Sequence, residues 1–207
     1  IPVYLSAQTI GVWNGRFNEM LGKWGLKKAR LISLRDPVKS REDLQKIGIP
    51  MERVHIVPDD ALFCDRLNDK NQVEKIIKKI GLSDLDINKG FITLQTHFWH
   101  ITKESDKKQV AQKMAEISSI VKRCLDLKII FVPMVPVDED AFYFFDRNFK
   151  NENIYFLKYP YHHSIARAII GNSILCLTMK HHPIIFALGE KTPVVSMNIS
   201  EYYEHKN

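Results

Sequence analysis

The chain reads as an α/β protein with parallel sheets covered by helices. Three observations predict this. Short apolar strand patterns alternate with helical patterns along most of its 207 residues. Several strands, Ile129–Val132 among them, are apolar at consecutive positions, as in a strand buried on both faces. Helical segments separate successive strands, the arrangement that places helices on both sides of a parallel sheet.

The elements follow in order. Val3–Leu5 is a strand, and Ser6–Gly11 is the loop after it. Phe17–Lys28 is helical, with Met20, Leu21 and Trp24 on one apolar face. Arg30–Leu34 is the next strand, broken by Arg35-Asp36-Pro37. Ser40 is placed to cap a helix through Ile47, which Gly48 ends. Val54–Val57 is a third strand, running into Pro58-Asp59-Asp60.

Composition then shifts. Asp65–Lys70 and Ser83–Lys89 are polar, and between them Val73, Ile76, Ile77 and Ile80 form a stripe on a short basic helix. The expected organisation is a partial N-terminal α/β domain over 1–65, a linker and connecting helix over 66–88, and a Rossmann-like domain over 89–207.

The second alternation is the clearer one. Phe91–Leu94 is a strand, and Ser105–Leu125 a long helix with Val110, Met114, Ile117, Val121 and Cys124 inward. Ile129–Val132 is a strand, and Asp138 caps a helix that puts Phe142, Phe145 and Phe149 at core spacing. Ile154–Leu157 is a strand, Ser164 caps Ile165–Ile170, and Gly171 stops that helix. Ile174–Thr178, His182–Leu188 and Val194–Met197 complete the set as strand, helix and strand.

Composition narrows the classes. Apolar residues make up 45% and charged residues 26%, the balance of an ordinary globular protein. No apolar run approaches 18 residues, so no transmembrane helix is expected, and no secretory signal pattern opens the chain. The chain begins with strand-like Ile1-Pro2-Val3 rather than Met, which suggests a piece of a longer protein. Cys64, Cys124 and Cys176 are odd in number, far apart and apolar in context; they read as reduced core residues of a cytoplasmic protein. The net charge of +6 comes from scattered pairs such as Lys78-Lys79 and Lys122-Arg123, not from a patch interleaved with aromatics. Nucleic acid is therefore not an expected partner. The balance suits anionic substrates and peripheral association with an acidic membrane surface.

In a parallel sheet, ligands bind at the carboxyl ends of the strands. That rule selects four loops. They carry Gln95, Thr96, His97 and His100; Pro136 and Asp138; Tyr159, Tyr161, His162 and His163; and Lys180, His181 and His182. Seven of the eight histidines thus fall near one face or in the C-terminal tail, His55 being the exception. Surface and capping roles are open to each of them. Asp59-Asp60 and Asp138-Glu139-Asp140 read as turn or cap residues. No metal site is expected: adjacent histidines point apart, and no HExxH or CxxC is present. Neither GxGxxG, GxxxxGK[ST] nor GxSxG occurs, which excludes a dinucleotide cofactor motif and a serine-hydrolase elbow.

Leu177–Lys206 concentrates the chemistry. Lys180, His181 and His182 stand where a strand hands over to a helix. Pro183 is expected at the first helical position and His182 at the N-cap. Helix starts favour negative charge through N–H groups outside the helix ladder and through the dipole, so a small anionic substrate is expected here.

These residues resemble the polysaccharide pyruvyl transferase family. That family carries Arg-Leu-His before an Ile-rich short helix, then a Pro-Val strand and Tyr-x-x-Lys. Here the order is Lys180-His181-His182, Pro183–Leu188, Thr192-Pro193-Val194-Val195 and Tyr203-Glu204-His205-Lys206. The family's Gly-Gln-x-Ile-Gly-Pro loop is similar to Ala7–Val12, containing Gln8. Its Arg-Asp-x-x-Ser segment resembles Arg35-Asp36 with Ser40, Leu44 and Gly48, with one extra residue, and its Asp-Pro-Ala resembles Asp59-Asp60-Ala61. Lys180 stands where the family has Arg, and His97 where many members have Arg; both exchange a bidentate fork for another group.

The resemblance implies a GT-B-like fold of two domains, of which the family's first half is missing here. It implies transfer of a pyruvyl group from phosphoenolpyruvate, a donor substrate with no further cofactor, to a saccharide or lipid-linked glycan in surface polysaccharide biosynthesis. It implies a cytoplasmic enzyme, at the inner face of the membrane where the glycan is lipid-linked. His182 is the expected catalytic residue. Lys180, His181, His97, Tyr203, Lys206 and Gln8 are the expected substrate-binding residues. Two alternatives stand beside it: a nucleotide-sugar glycosyltransferase or epimerase of GT-B type, and a degenerate, non-catalytic glycan-binding member.

Overall fold

The computed structural model describes residues 2–11, 13, 15–65, 67, 70–79, 82, 88–99, 101–149 and 153–197. Ile80, His100, Tyr203, His205 and Lys206 lie outside the described residues. The chain divides into two compact units, with the break between Phe63 and Cys64.

The first unit carries β1 (Val3–Gln8), α1 (Arg16–Lys27), β2 (Ala29–Leu34), α2 (Lys39–Lys46) and β3 (Val54–Ile56). The three strands form a parallel sheet in the order β1-β2-β3. Its core is Ile32 and Leu34 of β2 packed with Leu26, Leu44, Ile47 and Ile49. The apolar face expected on α1 does not join that core. Phe17, Met20 and Trp24 are each more than half exposed, and Leu26 is the buried residue of this helix. Lys28 Nζ instead lies over the Trp24 ring, 3.7 Å from its centroid. Periodicity identified an apolar stripe correctly, but a stripe is buried only when another layer covers it.

Ser40 does not cap α2. It is the helix's second residue; Val38 holds the N-cap position, and the side chain that accepts from the helix start is that of Asp36. Asp36 Oδ1 accepts from the backbone N–H of Val38 (3.1 Å) and Lys39 (3.2 Å), and Oδ2 from that of Ser40 (3.1 Å). Ser40 Oγ turns back to accept from Ile10 N–H at 2.9 Å, tying the β1 loop to α2. In that loop Gly11 has φ +139°, and a Cβ there would sit 2.3 Å from Asp43 Oδ2. Only glycine fits this position.

The second unit carries α3 (Lys70–Lys79), β4 (Phe91–Gln95), α4 (Glu104–Leu125), β5 (Lys128–Phe131), α5 (Glu139–Asn148), β6 (Ile154–Phe156), α6 (His163–Gly171), β7 (Leu175–Thr178), α7 (His181–Glu190) and β8 (Val194–Ser196). The five strands are parallel, in the order β6-β5-β4-β7-β8. The chain builds outward from β4 through β5 to β6, then returns to add β7 and β8 on the other side. The switch in direction lies between β4 and β7.

Every residue of β4 is buried, as expected for a central strand covered on both faces. Val110, Met114 and Val121 of α4 pack onto the sheet, with Ile117 partly buried beside them. Phe142 stacks on Phe156 at 4.5 Å between ring centroids and tilts against Phe131, while Phe145 is 1% exposed. Phe149 follows α5 and stacks on Phe145. α3 packs on α6 through the second unit, with Val73 and Ile77 buried.

Two further readings change. Only Cys176 is a core cysteine; Cys64 is half-buried and Cys124 exposed on the outer face of α4. His162, not Ser164, caps α6, its ring nitrogen accepting from Ser164 N–H while Gly171 stays inside the helix. Ser and His both carry an acceptor at cap distance, so composition alone did not separate them.

Candidate functional site

The switch point of a doubly wound sheet leaves a crevice at the carboxyl ends of the two strands that diverge there. In the second unit these strands are β4, ending at Gln95, and β7, ending at Thr178. The two side chains join across the gap: Thr178 Oγ donates to Gln95 Oε1 at 2.9 Å. Gln95 Oε1 also accepts from Met179 N–H at 3.3 Å. Gln95 and Thr178 are 1% and 0% exposed, so this bond is buried at the switch point.

Lys180 follows. Its backbone N–H donates to Thr178 Oγ at 2.9 Å, which holds it extended at φ −117°, ψ 152°. Helix α7 therefore starts at His181, two residues earlier than expected. Lys180 is the N-cap, His182 the second helical residue and Pro183 the third. The shift is physically cheap, because a proline is tolerated throughout the first turn where its missing N–H would bond nothing in the helix. His181 and His182 are both exposed, their ring centroids 6.3 Å apart.

The Lys180 side chain reaches across β4 to the loop after β5. Its ammonium donates to Asp138 Oδ1 at 2.6 Å and Oδ2 at 2.8 Å. Asp138 is fully buried and the Lys180 side chain is 13% exposed. Asp138 Oδ2 also accepts from the backbone N–H of Met134 (2.8 Å) and Val135 (3.3 Å), and from Gln95 Nε2 at 3.4 Å. Such a carboxylate is fully solvated by the protein. Asp138 is the N-cap residue of α5, as expected, but its side chain makes no bond to that helix; its carboxylate is the counter-ion of Lys180 and the centre of the network. The formal charge expected to attract an anion is cancelled within the site.

His97 lies in the loop after β4 and is 1% exposed. Its Nδ1 accepts from Trp99 N–H at 3.0 Å, and the two rings meet edge to face. The Lys180 ammonium is 5.4 Å from the Trp99 ring centroid. The loop after β6 closes on the same edge. Tyr159 N–H donates to Glu139 Oε1 at 2.8 Å, and the Tyr161 hydroxyl donates to the Pro133 carbonyl. Burial, with the carboxylate of Asp138 adding to it, pushes the Tyr161 phenol above its ordinary value, so it stays a donor.

The structure therefore brings Lys180, His181, His182 and His97 to one edge of one sheet. It adds Gln95 and Asp138, which the sequence places in the ligand-binding loops without a role, and Thr178 and Trp99. Gln8 belongs to the first unit, at the carboxyl end of β1. It is exposed, with Nε2 donating to the Ser6 carbonyl at 2.7 Å. Nearby, Arg35 donates to Thr9 Oγ at 3.0 Å and pairs with Asp59. Tyr203 and Lys206 lie outside the described residues. Among the described residues, no group of three or more His, Cys, Asp or Glu is arranged to hold a metal ion.

The fold has solved relatives. UDP-GlcNAc 2-epimerase of Neisseria meningitidis, bound to UDP-GlcNAc, matches 97% of this chain and 54% of its own, with TM-score 0.64 and 16% identity. The Methanocaldococcus jannaschii UDP-GlcNAc 2-epimerase matches 100% and 57%, with TM-score 0.59 and 15% identity. Anabaena HepE, in complex with UDP and glucose, matches 98% and 54%, with TM-score 0.52 and 12% identity. At this identity the likeness is one of fold: the chain is a GT-B-like α/β protein, spanning about half the length of these structures. A sequence comparison with curated proteins gives no match. The family is settled by a different comparison. The model of the polysaccharide pyruvyl transferase family matches residues 1–201, and the chain belongs to that family.

Proposed function

We infer that the chain is part of a polysaccharide pyruvyl transferase that moves a pyruvyl group from phosphoenolpyruvate to a pair of sugar hydroxyls. The observation that carries this reading is the family match over residues 1–201. Residues 180–182, aligned in order with the family's Arg-Leu-His, begin α7 at the switch point.

The chemistry asks for three things: a hold on the donor's anionic groups, a proton for the enol carbon and a place for the acceptor. The start of α7 offers backbone N–H groups and the positive end of its dipole to one anionic group. His182, exposed in the first turn, is the proton donor to the methylene carbon. Protonation turns that carbon into a methyl group and leaves an electron-poor centre at C2. One sugar hydroxyl attacks C2 and loses its proton. The C2–O bond to phosphate then breaks, phosphate leaves, and the second hydroxyl closes the ketal. One hydroxyl proton balances that spent on the methyl group, and the other leaves with phosphate.

In this reading Lys180 acts with Asp138 as a neutral, hydrogen-bonding pair rather than as a free cation. The reaction belongs to surface polysaccharide assembly in the cytoplasm, at the inner face of the membrane where the acceptor is lipid-linked. No described helix is long and apolar enough to cross a membrane. The test is incubation of the full-length protein with phosphoenolpyruvate and a panel of glycans, following phosphate release and the mass of the acceptor. Release coupled to a heavier acceptor is expected.

A second reading, a nucleotide-sugar enzyme, draws on the UDP-GlcNAc held by a protein of the same fold. Thermal stabilisation by UDP-GlcNAc, with no phosphate release from phosphoenolpyruvate with any glycan, would establish it instead.

A further inference from the structure

Trp99 is 53% exposed, although an indole is among the side chains that gain most from burial. Its backbone is not loose. Trp99 N–H donates to the buried His97 ring at 3.0 Å, and Ile101 N–H donates to the Phe98 carbonyl at 2.8 Å. Phe98 itself packs edge to face on Phe144 at 5.4 Å. Phe98 is thus anchored inward, and the half-exposed indole of Trp99 stands in the loop at the carboxyl end of β4. The Lys180 ammonium lies over this ring, 5.4 Å from its centroid, and is fixed by both oxygens of Asp138.

This juxtaposition selects a ligand class. A half-exposed aromatic ring braced by a fixed cation suits a molecule with one face of C–H bonds and hydroxyls around its edge. Asp138 cancels the charge of Lys180, which disfavours a bare phosphate at this spot and favours a neutral polar group. A pyranose ring has those properties. We propose that Trp99 is a saccharide platform: one face of a pyranose packs on the indole face that Lys180 does not cover, while the Lys180 ammonium over the other face holds the ring in place. Trp99 then sets acceptor affinity and orientation beside His181 and His182. The identification of that saccharide as the pyruvyl acceptor rests on the function inferred above; its binding to Trp99 does not.

The chain holds three tryptophans, so ¹⁵N-labelled protein has three indole N–H signals. The Trp99 signal is assigned by its loss in Trp99→Phe. Titration with methyl β-D-galactopyranoside and methyl α-D-mannopyranoside at millimolar concentrations is expected to shift the Trp99 signal with at least one sugar, leaving those of Trp13 and Trp24 in place. Saturation transfer from protein to that sugar should fall at least five-fold in Trp99→Ala and less in Trp99→Phe. The circular dichroism and the other two indole signals report whether the variants are folded. No shift with either sugar, or equal transfer in folded Trp99→Ala, overturns the platform. A Trp99 shift with UDP but neither sugar also overturns it, in favour of base stacking. The two readings fail separately. Sugars that shift Trp99 but release no phosphate from phosphoenolpyruvate leave the platform standing and the pyruvyl reading refuted. Phosphate release with an unchanged acceptor KM in Trp99→Ala does the reverse.

Discussion

Lys180 donates to both carboxylate oxygens of Asp138, at 2.6 and 2.8 Å, across 42 positions of sequence. Asp138 is wholly buried, so neither charge can be removed without stranding the other. Breaking such a pair costs about 3–5 kcal/mol, while replacing both partners costs far less. Asp138→Asn and Lys180→Met are each expected to lower stability by about that amount, and the double variant to recover most of it. Urea unfolding of the four proteins measures the coupling; a coupling near zero would show that the pair does not form in solution. The double variant is also the control for ligand binding, since a weaker affinity in Lys180→Ala mixes lost contacts with a stranded carboxylate.

Asp36 gives the first unit a pH-dependent cap. Burial raises its carboxyl, but the hydrogen bonds from Val38, Ser40 and Lys39 together outweigh it and hold the group below its ordinary value. A carboxyl lowered on folding stabilises above its unfolded-state value, and that contribution is lost as pH falls through the folded-state value. Asp36→Ala is expected to cost about 1 kcal/mol at neutral pH, the usual worth of an N-cap. The difference should shrink as pH falls through the folded-state value of Asp36, where the parent chain loses its charged cap. Asp36→Asn should keep most of the stability and lose the pH dependence. Denaturant melts at neutral pH and along a falling acid series decide it.

The cysteines should separate by reactivity. Cys124 is exposed on α4, whereas Cys176 is 1% exposed within β7. Burial pushes the Cys176 thiol up to about 11, and a hydrogen bond with Thr93 only partly opposes it. Thiolate is the reactive form, so native Cys176 has neither the charge nor the access. Iodoacetamide at neutral pH is expected to label Cys124 rapidly and Cys176 only after unfolding, read by peptide mass spectrometry. Equal rates in the folded protein would contradict the packing of β7.

The fold was legible because its signals are local. Two-face apolar strands and 3.6-residue stripes appear in windows shorter than the elements they form, and the central strands lie within a residue or two of where the pattern put them. Caps were less legible, since Asp36, Ser40, His162 and Ser164 all carry an acceptor and only backbone geometry chooses among them. The exposure of Met20 and Trp24 was not legible at all, because a stripe does not say what covers it. In the candidate site, His181 and His182 came from adjacency to a helix start, a local feature. Asp138 and Gln95 did not, since their roles come from pairings with Lys180 and Thr178 that only the strand order brings together.

Arg167 shows a signal of the other kind, one that the sequence carries openly. It is a lone charge in the apolar run Ile165–Ile170, and a helix keeps such a residue only where a partner meets it. Its partners include Glu190 at the end of α7, 2.6 Å from Arg167 Nε, and the Cys64 carbonyl, 2.6 Å from one of its terminal nitrogens. Arg167 is 1% exposed, and so joins α6, α7 and the first residue of the second unit through a single side chain. Arg167→Met removes the charge but keeps the aliphatic packing, and leaves a partly exposed Glu190 and an unmet carbonyl. A loss of about 3 kcal/mol is expected. Arg167→Lys should fare little better, because one ammonium cannot reproduce the fork that reaches both partners. Glu190→Gln, which retains an acceptor at a position that is 21% exposed, should cost clearly less than either. Thermal unfolding of the three variants tests the ranking, and a stability of Arg167→Lys equal to that of the parent chain would reduce the Arg167 contact to a simple ion pair.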